Sequence, residues 1–463
     1  MEAIIPDGPK SPYWLQLIHW VADPVGYMKA AAQRYGDIFA VPMRKKPGSL
    51  LYVSHPQAMK LILAKETKQF NAPGEFNEIL KPLVGDQSVI LLDGKHHQRQ
   101  RQLLMPPFHG ERMRAYGHLI CDITEKVMNQ FPIGQPFLAR TAMQDISQQV
   151  ILKVVFGLHE GERYQKLKQL LSSVSDLFRS PLTSSFLFFP LLQKDLGAWS
   201  PWGYFRRQQQ QLDELLYAEI KERRQQPALE RTDILTLLLS ARDEAGEPMT
   251  DTELRDELLT MLFAGNETTA TAMAWSLYWV HYLPEVAAKL LKELETFSGL
   301  EPMNISRLPY LTAVCQETLR IYPVGMLTFP RVVMKPLELC GYQLEPGTVL
   351  AGCIYLTHQR EDLYPQPKQF KPERFLERQF SPFEFLPFGG GSRRCIGEAL
   401  AQFEMKLVLA TILSRYQLVL ADQRPVAPQR RGVTLSPAGG VKMTIKGQYQ
   451  RQGPPSEPVA SLV

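Results

Sequence analysis

Between Glu111 and Phe297 the hydrophobic positions recur mostly at helical spacing. Strand signals are short and lie outside that stretch. They fall at Ile38 to Pro42 and Leu50 to Ser54, around Val332, and over Leu337 to Leu344 and Val349 to Leu356. Glycine and proline punctuation thickens after residue 320. This pattern predicts a mainly α fold with small β-sheets. With no internal repeat and no long linker, residues 1–447 read as one domain. Residues 448–463, rich in Pro, Gln and Ser, read as a flexible tail.

One helix is marked with unusual clarity. Thr250 and Glu253 have the spacing of a capping box, and the apolar pattern beyond them ends at Pro284. Such a helix would be roughly 50 Å long and would have to cross the interior. Ala264-Gly265-Asn266-Glu267-Thr268-Thr269 interrupts it near the middle. Gly costs about 1 kcal/mol in a helix and Thr is a poor former. Regular hydrogen bonding is therefore expected to break there, the plainer alternative being a satisfied polar spot.

Composition removes several function classes. The 463 residues carry a net charge of +5 without a dense basic tract, so nucleic acid is not an expected partner. The densest basic runs, Arg206 to Gln211 and Gln429 to Arg431, read as solvated surface. A modest positive patch could attract an acidic protein. Cys121, Cys315, Cys340, Cys353 and Cys395 are dispersed and odd in number. That argues for a reducing compartment and against a disulfide framework or a cysteine-rich metal cluster. Met1 to Lys10 does not resemble a signal peptide, and no run approaches ~20 apolar residues. A cytoplasmic protein is expected, at most peripheral to a membrane.

The sharpest local signal is Phe388-Gly389-Gly390-Gly391-Ser392-Arg393-Arg394-Cys395-Ile396-Gly397. Its glycines allow close backbone approach to a flat group. An amphipathic helix follows, so Cys395 is expected at a helix N-terminus, where the dipole and Arg393 favour a thiolate. A phosphate loop would need Gly-Lys-Ser/Thr, and a nucleophilic cysteine would want a nearby His. Neither is present in this stretch. An inert buried cysteine remains the alternative.

These ten residues match F-x-x-G-x-R-x-C-x-G, and the chain thereby resembles the cytochromes P450. Three further motifs follow the family's order. Ala264 to Thr269 is similar to its oxygen-activation motif, Glu317 to Arg320 to its E-x-x-R, and Pro372 to Phe375 to its P-E-R-F. The resemblance extends to about Lys446. It implies haem b between the central helix and the Cys395 loop, with Cys395 as axial thiolate. Phe388, Gly391 and Gly397 would shape that loop. Arg331 and Arg393 would meet the haem propionates, with His97 and Arg101 where many members have Trp-x-x-x-Arg. Glu317, Arg320 and Arg374 would form a structural network.

The implied activity is oxygen-dependent monooxygenation. Thr268 would hold water or oxygen by hydrogen bonding, Glu267 would supply protons from solvent, and Ala264-Gly265 would make room for oxygen. Without a reductase domain, electrons would come from a separate ferredoxin or flavodoxin with its reductase, docked near Arg394 and Lys406. The protein would act as a monomer. Substrate-facing segments by position are Asn71 to Leu92, Leu177 to Leu192, Val324 to Phe329 and the turn at Ala438 and Gly439. Phe263, Val324, Met326 and Leu327 are the named candidates with that turn. These segments are apolar, and Leu177 to Leu192 could touch a membrane. The overall sequence is most similar to soluble cyanobacterial members associated with fatty-acid hydroxylation and, in some cases, terpene oxidation. A long-chain fatty acid is the expected substrate, with Arg179 or Lys81 as carboxylate anchor, and a sesquiterpene is the alternative. A non-enzymatic haem–thiolate sensor would have no need of Glu267 and Thr268. A haem-free carrier of apolar ligands would leave the Cys395 loop unexplained.

Overall fold

The computed structural model describes residues 6–42, 50–64, 68–108, 112–158, 160–177, 185–197, 200–225, 231, 233–296 and 301–449. Helices α1 (Tyr13–Ala22), α2 (Pro24–Tyr35), α3 (Pro56–Ala64) and α4 (Lys81–Val84) precede the helix-rich half. That half holds α5 (Gly94–Leu104), α6 (Arg112–Met128), α7 (Ala139–Phe156), α8 (Glu162–Leu177), α9 (Pro201–Gln225) and α10 (Ile234–Ser240). It continues with α11 (Asp251–Tyr282), α12 (Pro284–Thr296), α13 (Pro302–Ile305) and α14 (Pro309–Ile321). Three helices are interspersed with the later strands: α15 (Ile354–His358), α16 (Arg374–Glu377) and α17 (Glu398–Arg415).

Helix α11 is the axis of the fold. Its capping box has both arms: the Glu253 N–H donates to Thr250 Oγ1 at 3.2 Å, and the Thr250 N–H donates to Glu253 Oε2 at 2.7 Å. Leu283 closes it, and Pro284 opens α12. The expected break at Gly265 does not occur, and α11 is helical throughout. Instead, the Thr268 hydroxyl donates to the Ala264 carbonyl at 2.5 Å. Gly265 has another reason to be there. A Cβ on it would lie 2.8 Å from Ile151 Cδ1, so glycine lets α7 approach α11 closely.

The main sheet has the order β1 (Ile38–Val41), β2 (Leu50–Val53), β8 (Val349–Gly352), β5 (Arg331–Val333), β3 (Phe70–Asn71). Only β2–β8 is parallel within it. A hairpin joins β6 (Leu337–Leu339) to β7 (Tyr342–Leu344), and a second joins β10 (Pro428–Arg431) to β11 (Thr434–Pro437). The third sheet is β4 (Pro136–Leu138), β12 (Lys442–Gln448), β9 (Tyr416–Leu420). The strand expected over Val349 to Leu356 stops at Gly352, and Ile354–His358 is helical. Strand β12 runs to Gln448, while 450–463 lies outside the described residues. The Gln429 to Arg431 run, expected in solvent, is strand β10 with Arg430 and Arg431 buried. Hydrogen bonds make that possible: Arg430 Nε donates to the Val21 carbonyl at 2.7 Å, and Arg431 reaches an acid described below.

The core gathers around α11, whose Leu258, Leu262, Trp275 and Val280 are fully buried. Several acids are buried among the described residues. Glu404 of α17 is buried and its Oε1 has no partner. Burial pushes its carboxyl up to about 8, tempered by the nearby Ser147 hydroxyl of α7. A carboxyl raised in the fold costs stability as pH climbs, because the unfolded chain ionises first. The loss begins near the ordinary glutamate value and is complete at about 8. Glu404→Gln is therefore expected to gain on the parent between pH 5 and 8, by up to ~1.4 kcal/mol per pH unit. Urea unfolding across that range checks it, and a constant difference would refute it. Among the described residues no helix is long and apolar enough to cross a membrane.

Candidate active site

The Cys395 loop is shaped by its glycines. Gly389 (φ 70°) and Gly391 (φ 66°) adopt left-handed backbone that disfavours side chains. A Cβ on Gly389 or Gly397 would meet nothing within 4 Å, which leaves one side of the loop open to a flat partner. The Cys395 N–H donates to the Phe388 carbonyl at 3.0 Å and fixes the turn. Cys395 precedes α17 rather than lying in its first turn, because Gly397 is the cap. The side chain is accessible to water, yet densely surrounding protein pushes its thiol up to about 11, against the opposing Gly397 N–H. Both facts hold for a group lining an inward hollow. Burial therefore opposes the helix terminus at this thiol, and a metal ion bound to the sulfur would favour the ionised form.

A basic cluster converges beside the loop. Burial first, then Arg393, Arg101 and Arg331, drive His97 down to about 4. The imidazole is therefore neutral near pH 7, with one N–H to donate. Arg331 is fully buried, with Nη1 donating to the Phe329 carbonyl at 2.6 Å and Nη2 to that of Gly390 at 2.9 Å. Arg393 donates to the carbonyls of Ala72 (2.6 Å), Val89 (2.8 Å) and Leu92 (2.6 Å), so it also braces the loop before α5.

Helix α11 brings the opposite set. Ala264 is exposed in the middle of an otherwise interior helix, and Phe263, Gly265 and Thr268 are half-buried. Glu267, expected to supply protons from solvent, is held by two arginines, one not expected at the site and the other expected in solvent. Arg140 of α7 pairs with its Oε1, and Arg431 Nε approaches the same oxygen at 2.9 Å. Oε2 is buried without a partner. One turn of α11 also secures the loop before α5. The Gln87 N–H donates to Asp256, the Val89 N–H to Glu257, and Ser88 meets the Thr260 hydroxyl, each at 2.7 Å.

Comparison with known proteins decides the family. The family model described as cytochrome P450 matches residues 6–444. Cytochrome P450 135B1 of Mycobacterium tuberculosis is 34% identical over 444 residues, covering 96% of this chain and 91% of the relative. The chain is a cytochrome P450. Cytochrome P450 135A1 of the same organism is 32% identical, with 97% of each chain covered. The fold is shared with the retinoic acid-bound cyanobacterial CYP120A1 (TM-score 0.81, 23% identity, 96% of this chain and 99% of that one). It is shared equally with the P450DA heme domain (TM-score 0.83, 21% identity, 96% and 98%). The curated relatives named here are mycobacterial, and the cyanobacterial likeness is one of fold.

As a P450 the chain uses haem b with an axial cysteine thiolate, draws electrons from redox partners and oxidises small molecules. The residues fit that cofactor. Cys395 is accessible, Gly389 and Gly397 leave room beside the loop, and Arg101, Arg331 and Arg393 lie near enough to His97 to act on its charge, a set that could meet carboxylates. Cys315 and Cys353 are buried with their thiols pushed far up, and Cys121 is half-buried.

The P450 has a second, drier cluster. Arg320 Nε and Nη2 donate to the two oxygens of Glu317 at 2.6 and 2.8 Å. Arg374 Nε donates to Glu317 Oε1 at 3.1 Å, and Arg320 Nη1 to the His358 carbonyl at 2.8 Å.

Several expected contacts are rearranged. Lys406 turns inward and donates to the Ser306 carbonyl at 2.9 Å, so it is withdrawn from any docking face. Arg394 stays exposed and pairs with Glu398. Lys81 is exposed and pairs with Asp86 at 2.7 Å, so it is no pocket anchor. Arg179 lies outside the described residues. Met326 is buried in a core with Met28, Phe39 and Tyr355, and Val324 is also buried. Leu327 and Ala438 are half-buried and Gly439 exposed. In the apolar run, Leu187 is buried, Phe188 lies under the Arg430 guanidinium at 4.8 Å, and Leu191 is exposed.

Proposed function

We propose that this P450 hydroxylates a long-chain fatty acid, with Cys395 as the haem ligand and Glu267 and Thr268 managing protons. The observation that carries the chemistry is the exposure of Ala264 on an otherwise interior α11, next to an acid and an alcohol, in a chain whose Cys395 is also accessible. Haem supplies oxygen activation when bound. The chain's part is to hold and pass protons. Thr268 Oγ1 donates to the Ala264 carbonyl, leaving its lone pairs to accept from a water. Glu267 Oε1 is occupied by arginines, so Oε2 is the oxygen that can exchange a proton. His97, Arg101, Arg331 and Arg393 would hold the haem propionates, His97 by a neutral N–H and the arginines by positive charge.

Phe263, Ala264, Leu327 and Ala438 support an apolar substrate. A protein of this fold holds retinoic acid, itself an apolar chain ending in a carboxylate. The outward-facing Lys81 favours a second reading, an uncharged sesquiterpene. Spectral titration separates the two. Palmitic acid is expected to shift the haem spin state, and a shift with a sesquiterpene alone would replace the fatty acid. Glu267→Gln should lower product formation by about 100-fold, with more reducing equivalents lost as hydrogen peroxide. A variant forming product at the parental rate would remove Glu267 from proton supply. The electron donor is proposed to be an acidic ferredoxin or flavodoxin meeting the face that carries Arg394.

A further inference from the structure

Glu267 is gripped by elements remote from it in the chain, and its two holders are anchored differently. Arg140 is fixed within its own helix, Nη1 donating to Gln144 Oε1 at 2.9 Å. Arg431 is fixed elsewhere: its Nη2 donates to the Ser175 carbonyl in the last turn of α8 at 3.2 Å. One guanidinium therefore touches both the acid of α11 and the end of α8. Both arginines are buried. Two buried cations facing one carboxylate are tolerable only while that carboxylate is charged and in place. Without it they repel, and Arg431, whose grip on α8 is a neutral carbonyl, is the one able to shift.

We propose that Arg431 is a positioning residue that couples the seating of α8 to the placement of the Glu267 carboxylate. With the last turn of α8 docked, Arg431 is held at both ends, Oε1 is pinned, and Oε2 is presented for proton exchange. When that turn withdraws, the carboxylate is gripped by Arg140 alone and turns away. Proton supply is thereby tied to the seating of the last turn of α8. The inference rests on Glu267 being the proton-supplying acid. Its physical core is a free-energy coupling, which must act in both directions. Changing Glu267, whose ion-pair partners are Arg140 and Arg431, must loosen α8.

Amide hydrogen exchange on the haem-loaded protein tests this through the peptides spanning 171–177. Arg431→Gln and Glu267→Gln are each expected to speed exchange there by about tenfold, within the usual range of such couplings. The double variant should be no faster than either single one. Arg140→Gln should leave these amides at the parental rate, and α6 should be unaffected throughout. Parental exchange in Glu267→Gln, or strictly additive effects of the two changes, would overturn the coupling. If Glu267→Gln does not retain haem, Glu267→Asp, which keeps the charge but shortens the reach, carries the same two outcomes. Product formation plays no part in this readout. A failed coupling is therefore distinguishable from a failed proton role, which the peroxide yield of Glu267→Gln reports.

Discussion

Cys395→Ser is expected to abolish the strongly red-shifted Soret band of the dithionite-reduced, carbon monoxide-treated protein, and with it substrate oxidation. Cys395→His should keep haem but return the band to an unshifted position. Electron donation from the thiolate produces both the band and the oxygen chemistry, so the two should vanish together. The loss of activity should exceed the roughly 100-fold typical of changes in a metal's outer shell. No other cysteine can take over. Cys315 and Cys353 are buried in packed surroundings, and Cys340 stands on an exposed turn at φ 51°. A red-shifted band persisting in Cys395→Ser would place the ligand elsewhere. The absorption spectrum alone settles it.

The second large effect is structural. Glu317 and Arg320 are both fully buried, and Arg320 also donates to the carbonyls of His358 and Pro367. Arg320→Leu leaves a buried carboxylate with one remaining cation, which costs about 3–5 kcal/mol. Arg320→Lys should recover little, because a single ammonium cannot replace a fork reaching one carboxylate and two carbonyls. Thermal unfolding of the haem-loaded protein measures the loss. The double change Glu317→Leu with Arg320→Leu should be less damaging than the two single changes added, since it strands no charge. Stability of Arg320→Leu within ~1 kcal/mol of the parent would mean the pair contributes nothing beyond the ~0–1 kcal/mol usual for exposed pairs.

What could be read beforehand was what chain-local chemistry dictates. The central helix was legible because its capping box and its terminating Pro284 are within or beside it. The Cys395 loop was legible because its glycines and cysteine are consecutive. The grip on Glu267 was not, because Arg140 and Arg431 reach it from other elements through long side chains. Arg431 was misread for a further reason. The sequence Pro-Gln-Arg-Arg lacks the apolar alternation of a buried strand, and its burial depends on acceptors that only the folded chain supplies. The upward push on the Cys395 thiol was not legible either, because burial is a property of the surroundings and not of the local chain.

The ties from Asp256, Glu257 and Thr260 to three successive loop residues bear on attempts to change selectivity by transplanting loops. A foreign segment grafted over 85–92 would arrive without its own helix turn and leave Glu257 buried with no amide to receive. The unit to exchange is the loop together with residues 256–260, two stretches far apart in the gene but a single part in the assembled protein.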